Sequence, residues 1–377
     1  MGFEEKTSEI SSELKCKDCG AILHFAPGTN SLKCEYCGAV NEIAAAQDAT
    51  IHSFDYESFI RDNESVGNTR EATVVRCNSC GASTTLLPNV TADKCPFCAS
   101  PLVVDMASTR RILKPHYVLP FIIKKDTALQ NFQQWLKGLW FAPSDLIKKV
   151  NDESSSQLQG IYIPHWSYDT DTVTRYDGKR GEYYYETETY TETVNGRQET
   201  RTRQVRHTRW YPASGVVSHQ FRDVLVSASP SLPQKTATTL EPWNLGLLVS
   251  FDERYLSGFR SETYQRDAKE ALGTAKQKMD PVIRSVICDD IGGDEQVIDD
   301  YQNQYNNLAL KYIMLPVWLS SYRYSGKVYQ FVVNANTGEV VGERPWSTIK
   351  IVLAVLLGLI IIGAIVYFAS MNNGRTH

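Results

Sequence analysis

The longest unbroken pattern in the chain is apolar. "IVLAVLLGLIIIGAIVYFA", Ile351 to Ala369, carries no charge over 19 residues. As a helix it would reach roughly 28 Å, close to the hydrocarbon thickness of a bilayer. Trp346 and Tyr367 stand near its ends, where amphipathic rings favour the interface. A transmembrane helix is therefore expected over 348–370, ahead of a short polar tail at 371–377. A buried core helix rarely stays apolar on every side for so long.

Upstream, the periodicities are shorter. In "KKDTALQNFQQWLKGLWFAPSDLIKKV", Leu129, Phe132, Trp135 and Leu136 recur at helical spacing. Asp126 is a candidate cap, and Pro143-Ser144 restarts a second short helix. These aromatics read as core. "SETYQRDAKEALGTAKQKMDPVIRSVICDDI" is also helical, with an interruption expected at Asp280-Pro281. Cys288 in that helix reads as a buried thiol. The acidic "DDIGGDEQ" that follows reads as helix termination, because it lacks the alternating ligands of a calcium loop.

A period of two takes over in "EYYYETETYTETVNGRQETRTRQVRHTRWY". Asn195-Gly196 is a favoured two-residue hairpin turn. With that turn, paired positions sum to 391, which sets Glu188 opposite Arg203 and Glu182 opposite Arg209. One face is then a charge ladder and the other a threonine and tyrosine face. Such pairs contribute about 0.2–1 kcal/mol each. Neither face is greasy, so the hairpin is expected to project as a solvated ladder. The glutamates neutralise the arginine run that would otherwise suggest RNA binding. Three apolar phrases also share a proline: "VLPF" at Val118, "YIPHW" at Tyr162 and "MLPVW" at Met314. Proline in a strand implies an edge, a start or a bulge. Two more strands and a turn near Thr337-Gly338 follow.

Cysteine changes the picture. Eight of nine lie between Cys16 and Cys98. Cys16, Cys19, Cys34 and Cys37 recur at an offset of 61 as Cys77, Cys80, Cys95 and Cys98. Each unit reads C-x2-C-x14-C-x2-C, which is zinc-ribbon spacing. Two cysteines two residues apart grip one ion from a tight knuckle. The intervening residues form a hairpin that returns the second pair to the first. Gly20, Gly38 and Gly81 follow three of the knuckles, and Ala99 follows the fourth. Four thiolates close a tetrahedral shell with no open position, so two structural zinc ions are expected. Zinc binding, on the order of 10–16 kcal/mol per site, would replace the core that so small a module lacks. Iron in a rubredoxin-like site and redox dithiols are the alternatives. Tyr36 and Phe97 occupy equivalent positions in the second knuckles, either covering the metal or contacting a partner.

The organisation expected is α+β and multidomain: a first ribbon at 1–43, a linker at 44–71, a second ribbon at 72–105, an α+β domain with β-hairpins at 106–347, and the membrane helix. Within the linker only "FDYESFI" has a pattern that could pair. The net charge is −4, and the ribbons' few charges cancel. Phosphate binding needs several cations, so nucleic acid is disfavoured. No P-loop, G-x-S-x-G, H-E-x-x-H or G-x-G-x-x-G is present. His165 beside Asp169 and Asp171 is a candidate cluster, although a lone histidine on a strand is more often structural. No secretory signal opens the chain, and Lys6 excludes a myristoylation motif. Reduced, metal-holding thiols place the bulk of the chain in the cytoplasm. The flanking charges, Arg344 and Lys350 against Arg375, add little. A single-pass, tail-anchored protein of the cytoplasmic membrane is expected.

The double cysteine frame, "KPHYVLPF", "WLKGLWFAPSDL", "GIYIPHW", "DIGGDEQ", "LPVWLSSYRYSGKVYQFVVNANTGEVVGERPWS" and the apolar span together resemble a family of bacterial TFIIB-type double zinc-ribbon membrane proteins, the YdjG-like proteins. The resemblance implies association with envelope-stress systems containing PspA-like and flotillin-like proteins. Such proteins are often labelled replication factors or helicases, but the missing P-loop argues against that label here. The function expected is a non-enzymatic adaptor that holds protein partners at the membrane. The alternatives are a nucleic-acid-binding factor of replication or transcription, and an enzyme built around His165.

Overall fold

The computed structural model describes residues 14–43, 50–62, 69–85, 92–98, 100–103, 108–146, 158–194 and 197–373. The expected Asn195-Gly196 turn, Ala99, Lys6 and most of the second short helix lie outside them. The first cysteine frame folds as an antiparallel sheet of β1 (Leu23–Phe25), β2 (Ser31–Cys34) and β3 (Val40–Glu42). Next come β4 (Phe54–Asp55) and α1 (Tyr56–Asp62). The second frame lies among β5 (Thr69–Arg76), β6 (Ser83–Thr85), β7 (Ala92–Lys94), β8 (Pro101–Val103) and β9 (Ser108–Leu113). The order is β6-β5-β9 in one sheet, with β7 paired to β8 in another.

The body is one nine-stranded sheet. It contains β4, β10 (Tyr117–Val118), β11 (Gln159–Val194), β12 (Arg197–Ser227), β13 (Val249–Ser250), β14 (Arg260–Ser261), β15 (Glu295–Tyr324), β16 (Lys327–Asn334) and β17 (Val340–Gly342). Among these stand α2 (Lys125–Lys137), α3 (Gln234–Thr239) and α4 (Ala268–Ile291), and α5 (Thr348–Asn373) closes the described chain. β11, β12 and β15 are 36, 31 and 30 residues long. That is several times the usual strand length. "FDYESFI", placed in the expected linker, is built into the body. β4 pairs with Ala309 and Leu310 of β15, and Tyr56 and Phe59 of α1 are buried.

The expected hairpin register is the one observed. Val194 pairs with Arg197, Glu188 with Arg203 and Glu182 with Arg209, and the register continues unchanged to Thr170 and Phe221. A one-residue shift at Tyr168/Thr170 then ends it. The hairpin also reaches far beyond the recognised stretch. From Gly181 to Gln159, β11 takes β15 as its second neighbour, and from Glu182 outward the pair runs on alone.

The three proline phrases lie side by side, as β10, β15 and β11. Tyr117 and Val118 pair with Ile313 and Met314, while Tyr162 and Pro164 face Pro316 and Met314. Pro164 and Pro316 stand within central strands, where a missing N–H should break the ladder. Each sits where its strand changes neighbours. Tyr162 accepts from Glu262, and Pro164 then accepts from Ala228 as β12 takes over from β14. Met314 accepts from Leu119, and Pro316 then accepts from Ala335 as β16 takes over from β10. A residue's nitrogen points to the same side as its carbonyl, so each proline nitrogen falls at the seam between two partners.

α4 lies across the three long strands. Its stripe of Ala268, Ala271, Ala275, Met279, Ile283, Ile287 and Ile291 is buried at helical spacing. Asp267 caps it by accepting from Glu270 N at 2.7 Å. Contrary to expectation, the helix is not interrupted at Pro281. Pro281 is on the exposed side, and burial of residues on either side of it offsets the one hydrogen bond it cannot make. Cys288 is only half-buried, and "DDIGG" does end the helix, with Gly292 as its cap. In α2, Phe132 and Leu136 are buried as expected, together with Ala128. Asp126 does not cap α2; Lys124 holds that position without a side-chain bond. Asp126 sits instead in the first turn, where a carboxylate favours the helix dipole.

Candidate metal centres

In the first module, Cys34 closes β2 directly opposite Leu23 of β1, which brings the second knuckle back beside the first. Each knuckle is pinned by backbone bonds. Gly20 N donates to Cys16 O at 2.9 Å and Cys16 N to Ala21 O at 2.7 Å. Gly38 with Cys34, and Gly81 with Cys77, repeat the first bond at 3.0 and 2.9 Å. The three glycines have φ of +76°, +76° and +77°, a region that costs glycine little. In the fourth knuckle Cys95 N donates to Ser100 O at 2.8 Å.

The sulfurs converge. Cys16 Sγ lies 3.5 Å from Cys37 Sγ, and Cys19 Sγ 3.5 Å from Cys34 Sγ. In the second module both equivalent distances, Cys77 to Cys98 and Cys80 to Cys95, are 3.6 Å. Within each quartet all four sulfurs lie within 4.8 Å of one another. Tetrahedral coordination at about 2.3 Å places sulfurs about 3.8 Å apart, whereas a disulfide brings them to about 2.05 Å. Both quartets could hold a metal ion, and among the described residues no other set of three or more His, Cys, Asp or Glu side chains meets that test.

The first cysteine of each knuckle is buried; Cys19, Cys37 and Cys80 are exposed and Cys98 half-buried. Backbone N–H groups support the sulfurs: Cys37 and Tyr36 donate to Cys34, Cys98 and Phe97 to Cys95, Ala21 to Cys19 and Ala82 to Cys80. The N–H of Cys37, with help from Tyr36, holds the Cys34 thiol down to about 7. Burial pushes Cys98 up, but the Ser100 hydroxyl and N–H and the Cys77 and Cys80 thiols outweigh it and hold Cys98 at about 7. Cys37 rises to about 12, since the Ala39 N–H that lowers it is outweighed by the thiols of Cys16 and Cys34. Burial raises Cys80 to about 11 and pushes Cys95 up as well. Each quartet thus favours one thiolate readily and resists full ionisation. A divalent cation would supply the charge that lets all four sulfurs ionise together.

Both modules dock on one stretch of the body, a contact the sequence reading missed. Phe25 packs against the rings of Tyr255 and Phe259 at 5.2 and 6.4 Å, and its N–H donates to Ser257 O at 3.0 Å. A few residues on, Ser83 O accepts from Thr263 N at 3.1 Å, and Thr85 Oγ1 bonds Ser261 at 3.0 Å. Glu262 bridges to Thr84 and is buried, with one carboxylate oxygen accepting from Ser229 at 2.6 Å and from Ser231. The equivalent knuckle aromatics part company. Phe97 is 1% exposed and packs with Cys77, Cys95, Ile161 and Val317, whereas Tyr36 is 89% exposed.

The structure separates His165 from the acids beside it in sequence. His165 is buried, its Nδ1 is 3.1 Å from Ile163 O, and burial holds its pKa down at about 4. Asp169 instead pairs with Lys311, and Asp171 with Arg222 at 2.7 Å.

Among the described residues one helix, Thr348–Tyr367, is long and apolar enough to cross a membrane, and none of it is buried. No family model and no solved structure matches this sequence. The chain is similar to the uncharacterized protein YdjG of Bacillus subtilis (strain 168), at 29% identity over 243 residues. The match covers 63% of this chain and 66% of that relative, just under two thirds of its length, and supports a YdjG-like kinship without assigning an activity.

Proposed function

We propose that this chain is a non-enzymatic adaptor, anchored in the bacterial cytoplasmic membrane by its apolar helix, whose two cysteine modules are structural zinc ribbons that present a surface to protein partners. The contrast between Tyr36 and Phe97 carries the reading. The second module spends its knuckle aromatic on the body, while the first turns the equivalent ring, with Val40 at 61% exposure, to solvent. An exposed aromatic and aliphatic pair on a rigid module is the kind of anchor that protein interfaces use. Four sulfur donors in a closed shell suit zinc in a structural role. The family resemblance points to PspA-like or flotillin-like proteins of the envelope-stress response as partners.

Removing 348–373 is expected to release both the chain and its partner into the soluble fraction. A truncated chain that still pellets with membranes contradicts the anchor. A Tyr36→Ala, Val40→Ser variant that keeps its metal and its full partner yield contradicts the docking face.

A further inference from the structure

Among the described residues, the ribbon beyond Gly181 has no third strand. β15 stops at Glu295, opposite Gly181, so Glu182–Val194 and Arg197–Arg209 run on as a two-stranded ribbon. At about 3.4 Å per residue it extends roughly 40 Å from the body. Past Tyr183, whose N–H donates to Asp294, both outer edges lack a strand partner among the described residues, the arrangement that invites another strand.

The two edges differ in sign. The outer strand of β11 carries Glu182, Glu186, Glu188 and Glu192 and no cation. The outer strand of β12 carries Arg197, Arg201, Arg203, Arg206 and Arg209 against Glu199 alone. The observed register puts those glutamates on the same face as Arg197, Arg201, Arg203 and Arg209. Within one chain Arg203 bonds Glu188 at 3.0 Å and Arg201 bonds Glu192 at 3.0 Å. These side chains remain about half exposed, at 44–62%. A row of arginines arriving on the far side of the glutamates would therefore find them accessible.

We propose that the ribbon is a self-association element in which the acidic β11 edge of one copy pairs with the basic β12 edge of the next. Two ribbons pointing the same way bring those edges together antiparallel, continuing the sheet with alternating rows of glutamate and arginine. Like edges repel, which disfavours a two-fold pair and selects a head-to-tail arrangement that closes as a ring or grows as a filament. Copies stacked this way have all their apolar helices pointing alike. The inference does not depend on zinc, on a partner or on the membrane reading.

The test uses the full chain in mild detergent, with mass followed by sedimentation velocity across concentration and ionic strength. The wild type is expected to associate at low salt and dissociate as salt rises. Glu186→Arg, Glu188→Arg, Glu192→Arg together, and Arg197→Glu, Arg201→Glu, Arg203→Glu together, are each expected to be monomeric alone and to associate when mixed. Like charges across the hairpin endanger its folding in those variants. The six-fold swap keeps the internal pairs and is expected to associate as the wild type does, while replacing 184–207 with Asn-Gly is expected to give a monomer. A wild type that stays monomeric at low salt, or a ribbon-deleted chain that associates as strongly as the wild type, overturns the proposal.

Discussion

Lys311 on β15 places its ammonium 3.0 Å from a carboxylate oxygen of Asp169 on β11, and the two side chains are 6% and 14% exposed. Asp223 lies 2.6 Å from the same ammonium, and Asp169 also accepts from Asp223 N at 2.6 Å. This knot occupies the point where β11 shifts register against both neighbours, at Tyr168/Thr170 and Asp169/Asp171. The two bulges turn charges inward, and the pairing there satisfies them.

When Asp169 is neutralised Lys311 keeps Asp223 as a counter-charge, so the change removes one of two carboxylate partners and does not strand the ammonium. Asp169→Asn is expected to cost about 1.5–3 kcal/mol in urea unfolding, and Asp169→Asn with Asp223→Asn, which does strand the Lys311 ammonium, about 3–5 kcal/mol. Burial raises the Asp169 pKa, but the Asp223 N–H, the Ser53 hydroxyl and Lys311 outweigh it and leave a net lowering. A carboxylate lowered on folding contributes stability above its unfolded pKa and loses it as pH falls through the folded value. The stability of Asp169→Asn should therefore fall less than the wild type's as pH drops below about 4.

Glu262 has the opposite sign. Burial raises its pKa to about 7, against the two hydroxyls of Ser229 and Ser231 that lower it. The folded state holds that proton more tightly than the unfolded chain, so the contribution of Glu262 to stability is fully present below about pH 4.5 and is lost as pH rises through about 7. The decline amounts to about 3 kcal/mol from this group. Because Glu262 bridges to Thr84, the second module should loosen from the body at alkaline pH. Glu262→Gln is expected to flatten that slope and preserve amide protection of Thr84 and Thr263 at pH 8; an unchanged slope contradicts the assignment.

Pro281 tests why α4 is continuous. If its buried stripe holds the helix together, Pro281→Ala restores a backbone bond at an exposed site and should stabilise the chain by about 1–3 kcal/mol. Ile287→Ala, in the buried stripe, should destabilise it by about 2–5 kcal/mol. A neutral or destabilising Pro281→Ala would mean that the proline sets a bend the packing needs.

Some of this fold was legible residue by residue. Ligand geometry fixes cysteine spacing, so Cys16 to Cys98 declared two quartets without help from tertiary structure. Asn195-Gly196 and the alternation around it fixed the register, because a two-residue turn leaves one pairing. The first half of β15 was not legible. "EQVIDDYQNQYNN" buries little apolar surface, and its strand state comes from lying along β11. Nor could local pattern show that Ser257 and Thr263 would each receive a cysteine module, since those bonds join residues more than 170 positions apart. Helix propensity at Asp280-Pro281 pointed to a break that only the long strands beneath α4 override.

Metal analysis of the intact chain, purified under reducing conditions without chelator, tests the cysteine modules most directly. Two zinc equivalents per chain are expected, falling to one in a Cys34→Ser, Cys37→Ser variant, with release favoured as pH drops and the thiolates gain protons. Fewer than about two equivalents in the wild type, or disulfides among Cys16, Cys19, Cys34, Cys37, Cys77, Cys80, Cys95 and Cys98 in the native cell, would contradict it.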